Sequence, residues 1–233
     1  MQPLSSIAFI PDGNRRFSVK SNIPLLESYK LGTQKAWDVM HWMKNYPEIK
    51  VGTFYTLSLE NLQRKQIELK VLYSIFDQEL EKALNDSFLK ANQIKLKFIG
   101  KIKLLPVKMQ KKIEEVEQAT ADFSLRTINL AIGYNGQDEI VDAAKQIAVD
   151  YQAGKLNIDS LTPEKFNSYL YSDFADPDLI VRTSGTQRLS GFLTYKSSYS
   201  EFYFSQKFWP EFSAQDLDLA VQDYYARQRK FGL

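Results

Sequence analysis

The sequence predicts an α/β fold: one domain over residues 1–233, with a central, mostly parallel six-stranded sheet flanked by helices. Three observations carry this reading. Six apolar runs of strand length recur along the chain, amphipathic helical spacings fill most of the gaps, and polar clusters follow the runs instead of interrupting them. Strands that alternate with helices of this length form βαβ units, and such units make parallel sheets.

The elements follow in order. The first run, 7–10, stops at Pro11, turns at Asp12-Gly13, and is followed by Asn14, Arg15 and Arg16. Trp37, Met40, His41 and Trp42 fall in a helical pattern. The second run, 51–57, leads into Ser58, Glu60, Asn61 and Arg64. Leu69, Leu72, Tyr73, Phe76, Leu80, Ala83, Leu84 and Phe88 repeat every three or four residues, which predicts one long helix over 68–91. The third and fourth runs are 94–99 and 127–132. Tyr134-Asn135-Gly136 comes next, and then an amphipathic helix carrying Ile140, Val141, Ala144, Ile147, Ala148 and Tyr151. The fifth run, 179–181, leads into Arg182-Thr183-Ser184-Gly185, with Arg188 and Ser190 close behind. The sixth is 202–204, and a last helix carries Leu217, Ala220, Val221 and Tyr224. Segments 154–163 and 173–178 read as connections. There is no internal repeat and no low-complexity tract.

Composition narrows the chemistry. A net charge of +2 over 233 residues argues against a dedicated nucleic-acid binder. The absence of cysteine removes disulfides, thiol nucleophiles and Cys-ligated zinc. His41 is the only histidine and reads as a helix-face residue, so a histidine metal cluster or a Ser-His-Asp triad is disfavoured. A metal would then be a hard cation held by carboxylates and phosphates, with magnesium the default. No apolar stretch approaches the roughly 18 residues of a membrane helix. MQPLSSIAFIPDG lacks a basic leader, which predicts a cytosolic protein.

In an open parallel sheet the carboxyl ends of the strands share one edge, and ligands bind there. The polar clusters should therefore meet in one cleft. Several arginines with Ser, Thr, Asn and Gly amides suit phosphate oxygens. A glycine before a helix start lets the backbone approach an anion. Asp12 fits such an anion once a divalent cation lies between them, so the set reads as half of a magnesium–diphosphate site. Taken singly, PDG is a common turn, RTSG is a strand exit with a helix cap, and Asp173, Asp176 and Asp178 are a turn beside Pro177. Their shared position at successive strand ends is what favours the functional reading.

Five stretches in order resemble the cis-prenyltransferases, the undecaprenyl diphosphate synthase family. They are IAFIPDGNRRF (7–17), FYTLSLENLQR (54–64), INLAIGYNGQDEIVDAAK (128–145), residues 176–212 from DPDLIVRTSG to WPEF, and RQRKFG (227–232). The resemblance implies a homodimeric α/β enzyme with an apolar tunnel, which condenses isopentenyl diphosphate with an allylic prenyl diphosphate to build a long cis-polyprenyl diphosphate. It makes Asp12, Asn61 and Arg16 catalytic. Gly13, Asn14, Arg15, Arg16, Tyr29, Ser58 and Arg64 would hold the allylic diphosphate, and Arg182, Arg188 and Ser190 that of isopentenyl diphosphate. Phe17 and Glu68 would position substrate, and Asp12 and Glu201 would bind Mg2+. Product release would use a peripheral membrane contact.

The sequence departs from the family pattern at Leu25, where the family has arginine, and at Tyr29, where it has histidine. Phe17 and Leu62 replace aromatic partners, Thr186 a glutamate, Gly191 an asparagine and Lys230 an arginine. Two alternatives of the same fold follow: a synthase joining allylic units in a non-head-to-tail manner, and a catalytically silent partner subunit. Retention of Asp12, Arg16, Arg182, Arg188 and Glu201 weighs against the silent subunit. An unrelated nucleotide-binding protein lacks its glycine-rich motifs here. The trans-type synthases are all-helical with DDxxD motifs, and neither feature is present.

Overall fold

The computed structural model describes residues 3–227. Six strands are present: β1 (Ser6–Ile10), β2 (Val51–Ser58), β3 (Ile94–Ile99), β4 (Arg126–Tyr134), β5 (Leu179–Arg182) and β6 (Glu201–Phe204). They form one sheet of order β3-β4-β2-β1-β5-β6, with every neighbouring pair parallel. The helices are α1 (Asn14–Lys20), α2 (Leu25–Trp42), α3 (Gln66–Asn85), α4 (Ser87–Ala91), α5 (Val107–Ala119), α6 (Gly136–Gln152), α7 (Pro163–Asn167) and α8 (Ala214–Ala226). All six expected strands are found, one or two residues longer at half of their ends. Among the described residues no helix is long and apolar enough to cross a membrane. The RQRKFG stretch lies, beyond Arg227, outside the described residues, and so does Lys230.

Helices on both faces bury the central strands, so β1 is buried throughout and apolar from Ile7 to Ile10. Its residues alternate between two cores. Ile7 and Phe9 enter the core shared with α2, α3, α5 and α8, while Ala8 and Ile10 enter the core with Phe174, Phe192 and Leu193. Phe9 stacks on Phe54 of β2 at 4.9 Å between ring centroids. Asp178, in the loop read as a turn, accepts hydrogen bonds from the Ser5 and Ser6 amides (2.9 and 3.0 Å) and so fixes the start of β1 against β5.

One expectation needs correction. The helix expected over 68–91 is two helices, broken at Asp86, where φ is −81° and ψ 114°. The Asp86 carboxylate accepts from the Phe88 and Leu89 amides (2.8 and 3.1 Å) and caps α4. The apolar spacing runs through the break because both helices pack on the same core.

The topology places one crevice. From β1 the chain moves to β2 on one side, and from β5 it moves to β6 on the other. The strand order thus reverses between β1 and β5, and a cleft opens beyond their carboxyl ends. Asp12 and Arg182 are the residues found there.

Candidate active site

The backbone after β1 is clamped before any side chain acts. The Asp12 amide donates to Ile10 O and to Thr183 Oγ1 (both 2.9 Å). The Thr183 hydroxyl in turn donates to Asp12 O at 2.7 Å, and the Trp209 amide donates to the same oxygen at 3.0 Å. Gly13 follows in the left-handed region at φ +107°; a Cβ there would stand 2.6 Å from Phe208 Cδ1 and 3.0 Å from Ser184 Cβ. Only glycine permits this turn into α1, whose first residues are Asn14, Arg15 and Arg16. On α2, Gly32 leaves the room that Asn14 Oδ1 occupies, since a Cβ would come within 2.3 Å of it. Asn14 Oδ1 is buried without a hydrogen-bond partner.

Asp12 lies between two guanidiniums. Arg182 Nη2 donates to Oδ2 at 2.8 Å, and Arg16 Nη2 donates to Oδ1 at 3.2 Å. Arg16 also donates to Ser184 Oγ (2.5 Å), on a residue itself at φ +76°. Burial pushes the Asp12 carboxyl up, but the Arg182 hydrogen bond and the charges of Arg182 and Arg16 outweigh it and hold the group below the usual carboxylate range.

Arg182 is buried, 4% exposed, and links two halves of the site. Its Nη1 donates to Ser190 Oγ (2.9 Å) and to Arg188 O, and its Nε has no partner. Arg188 Nε reaches the same Ser190 oxygen at 3.2 Å. Ser190 and Gly191 both have positive φ (+52° and +75°), which curls this loop over the cleft. Tyr55 supports it from β2: its hydroxyl donates to Tyr134 O (3.1 Å) and Ser190 O (3.3 Å), and its ring stacks on Phe192 at 4.7 Å.

The end of β2 forms the third wall. A bulge between Tyr55 and Ser58 shifts the register against β4 and turns Ser58 into the cleft. Ser58 Oγ accepts from the Asn61 amide at 3.3 Å. Glu60 accepts from Asn135 Nδ2 at 2.5 Å, which ties this wall to the start of α6. Arg64 Nη1 donates to Tyr29 Oη (3.0 Å) and Glu68 Oε1 (2.9 Å), and Tyr29 donates to that carboxylate at 2.7 Å. Burial first, and then Glu68, push the Tyr29 hydroxyl up to about 12. Tyr29 therefore stays neutral where a histidine would titrate.

A cavity of about 1160 Å³ runs from these groups inward between α2, α3, α5 and the sheet. Its inner lining is apolar, including Leu72, Phe76, Leu80, Leu96, Phe98 and Ile132. Most of the expected site residues line it: Asp12, Gly13, Asn14, Arg15, Arg16, Tyr29, Ser58, Asn61, Arg64, Arg182, Arg188 and Ser190. Three do not. Phe17 sits beyond the cradle on α1, and Glu68 acts through Tyr29 and Arg64. Glu201 opens β6 opposite Leu179, at the other edge of the sheet, roughly 10 Å of strand from the level of Arg182. There it pairs with Arg227 at 2.9 Å, so this chain does not bring Glu201 to Asp12.

Comparison with known proteins decides the family. Residues 10–232 match the family model described as "Putative undecaprenyl diphosphate synthase". The chain is 43% identical over 227 residues to a tritrans,polycis-undecaprenyl-diphosphate synthase (geranylgeranyl-diphosphate specific) of Thermoplasma acidophilum, covering 97% of this chain and 88% of that protein. The chain belongs to the cis-prenyltransferase family. An isoprenyl transferase of Thermus thermophilus is 36% identical over 231 residues, covering 97% of this chain and 88% of that one. A crystal structure of lavandulyl diphosphate synthase from Lavandula x intermedia, in complex with dimethylallyl diphosphate, superposes with a TM-score of 0.94 at 29% identity over 98% of both chains. A probable undecaprenyl diphosphate synthase of Campylobacter jejuni gives 0.81 at 29% identity over the whole of both. This cis-prenyltransferase is thus a prenyl-transferring enzyme whose reaction is cis-prenyl chain elongation to a polyprenyl diphosphate.

Several lining residues of this cis-prenyltransferase escape a reading of the sequence. Tyr55 lies within a strand and resembles an ordinary core residue, whereas Asn135 belongs to the Tyr134-Asn135-Gly136 cluster at the end of β4. Trp37 and Glu79 lie on separate helices, and their contact is visible only once α2 and α3 are packed. Tyr55 and Asn135 did leave a signal, since both lie inside stretches that resemble the family, 54–64 and 128–145.

Proposed function

We propose that this cis-prenyltransferase extends geranylgeranyl diphosphate with isopentenyl diphosphate in the presence of magnesium, and that one polar cleft binds both diphosphates. The observation that carries this is the Asp12–Arg182 pair, placed where the sheet order reverses and at the mouth of the apolar cavity. The name of the Thermoplasma relative supports the primer.

Asp12 is the residue that would hold magnesium. Its carboxylate is held in the charged form and lies at the cleft. Among the described residues no group of three or more His, Cys, Asp or Glu could hold a metal alone, so the fit is to a cation that shares its sites with diphosphate oxygens. Bound there, magnesium would neutralise charge developing on the departing diphosphate. Glu201, turned to Arg227, is left out of the metal set of its own chain.

The remaining steps belong to the residues. The Gly13 turn presents the first amides of α1, with Asn14, Arg15 and Arg16, to the allylic diphosphate. Arg16 stabilises it as the C–O bond breaks. Arg64 reaches it from the third wall, where Tyr29 and Glu68 fix its orientation. Ser58 and Asn61 orient the reacting ends. Arg182, Arg188 and Ser190 take the second diphosphate, and Arg182 has an unused Nε donor for that role. The cavity excludes water from the allylic cation and buries the product, worth about 0.8 kcal/mol per CH₂. We further propose a homodimer in the cytosol, with peripheral membrane contact when product leaves.

The lavandulyl diphosphate synthase likeness keeps a second reading, a short irregular product. It is less favoured, because a cavity of about 1160 Å³ exceeds the roughly 300–1,000 Å³ typical of small-ligand sites. The test is incubation with magnesium, labelled isopentenyl diphosphate and, separately, C10, C15 and C20 allylic diphosphates, followed by sizing of the dephosphorylated products. A ladder to a defined long polyprenol, best from C20, is expected and should vanish with chelator. A single short product would overturn the reading.

A further inference from the structure

The tunnel of this enzyme is not apolar to its end. Every other charged residue described in the lining sits at the polar mouth; Glu79 faces the cavity from the interior of α3. Its Oε2 accepts from Trp37 Nε1 of α2 at 2.6 Å. Trp37 is 6% exposed, so its indole N–H has this carboxylate as partner in an apolar setting. The Lys82 ammonium lies 4.4 Å from the centre of the Trp37 ring.

The pair marks a depth. Tyr29 and Glu68 join the same two helices at the mouth (2.7 Å). Trp37 lies eight residues further along α2 and Glu79 eleven further along α3, about 12 and 16 Å at the helical rise. Beyond the pair only Met40 on α2, and Leu80 and Ala83 on α3, still line the cavity. The polar rung thus stands just before the closed end.

We propose that the Glu79–Trp37 pair sets product length: elongation stops when the tail of the growing chain reaches the carboxylate. Each added isoprene unit gains by burial only where its surroundings are apolar. Against Glu79 that gain is offset by removing water from a carboxylate with one hydrogen-bond donor inside the tunnel. Further condensation then loses to release. Neither residue touches the diphosphates, so the rung acts on length and not on chemistry. The inference rests on the elongation reading.

The test is the product-length distribution of three variants, each beside wild type, with the rate of the first condensation recorded separately. Glu79→Leu removes the carboxylate and is expected to move the main product longer by at least one C5 unit, with kcat/KM of the first condensation within about twofold of wild type. Glu79→Gln keeps the size and the acceptor for Trp37, and should lengthen the product less. Trp37→Phe strands the carboxylate without its donor and should shorten it. The opposite signs separate polarity from bulk. Unchanged or shorter products from Glu79→Leu would overturn the proposal. So would Glu79→Gln products identical to wild type beside longer Glu79→Leu products, since bulk alone would then be the cause. If wild type itself makes no polyprenol, the elongation reading fails and the rung falls with it.

Discussion

Asp12 shows how one side chain takes its properties from its neighbours. Half-burial would favour its neutral form, but two guanidiniums reverse that. A carboxylate whose folded pKa lies below its ordinary value of about 3.9 adds stability that is full above that value and is lost as pH falls through the folded one. Thermal melts of wild type and Asp12→Asn should therefore differ at neutral pH and converge in strong acid. The same variant should lose about 10²–10³-fold in kcat, the effect of removing one electrostatic stabiliser, with an unchanged circular dichroism spectrum. Arg182 is a less clean target. It contacts both Asp12 and Ser190, so Arg182→Ala should raise KM for both substrates and not for isopentenyl diphosphate alone. The motif residues were legible in the sequence because their chemistry is unusual at a strand exit. Glu79 was not, because a glutamate on an amphipathic helix has the pattern of a solvated one.

At the level of elements, the strands were easy to find and the helix breaks were not. Runs such as 7–10 and 179–181 are apolar on both faces, as a strand buried in a parallel sheet is. The split of α3 from α4 depends on one capping carboxylate, within a spacing that continues through it. Asp86→Ala should cost about 1 kcal/mol through loss of that cap, read as a lower denaturation midpoint at unchanged m-value. The bulge at the end of β2 is a similar case. It re-aims Ser58 without altering the apolar pattern, so periodicity did not reveal it.

Across the whole molecule the sheet edges are β3 and β6. β6 is four residues long and carries the half-buried, parallel-stacked rings of Phe202 and Phe204, 5.9 Å apart. Half-exposed aromatic rings on an edge strand are apolar surface that a second copy would cover. Sedimentation at micromolar concentration should give twice the mass of one chain, and Phe202→Glu should shift it toward the monomer; a wild-type monomer would remove the homodimer. The sequence by itself determined the fold class, the six strands and most of the residues that line the polar cleft. Apolar burial and turn chemistry are written locally, and a parallel sheet gathers strand exits whatever their order. Only the tertiary structure decided that Arg182 reaches Asp12, that Glu201 faces away, and that Trp37 meets Glu79 inside the tunnel. Those pairings join residues far apart in the chain, and which of them meet depends on the order of the strands in the sheet and the register of α2 against α3.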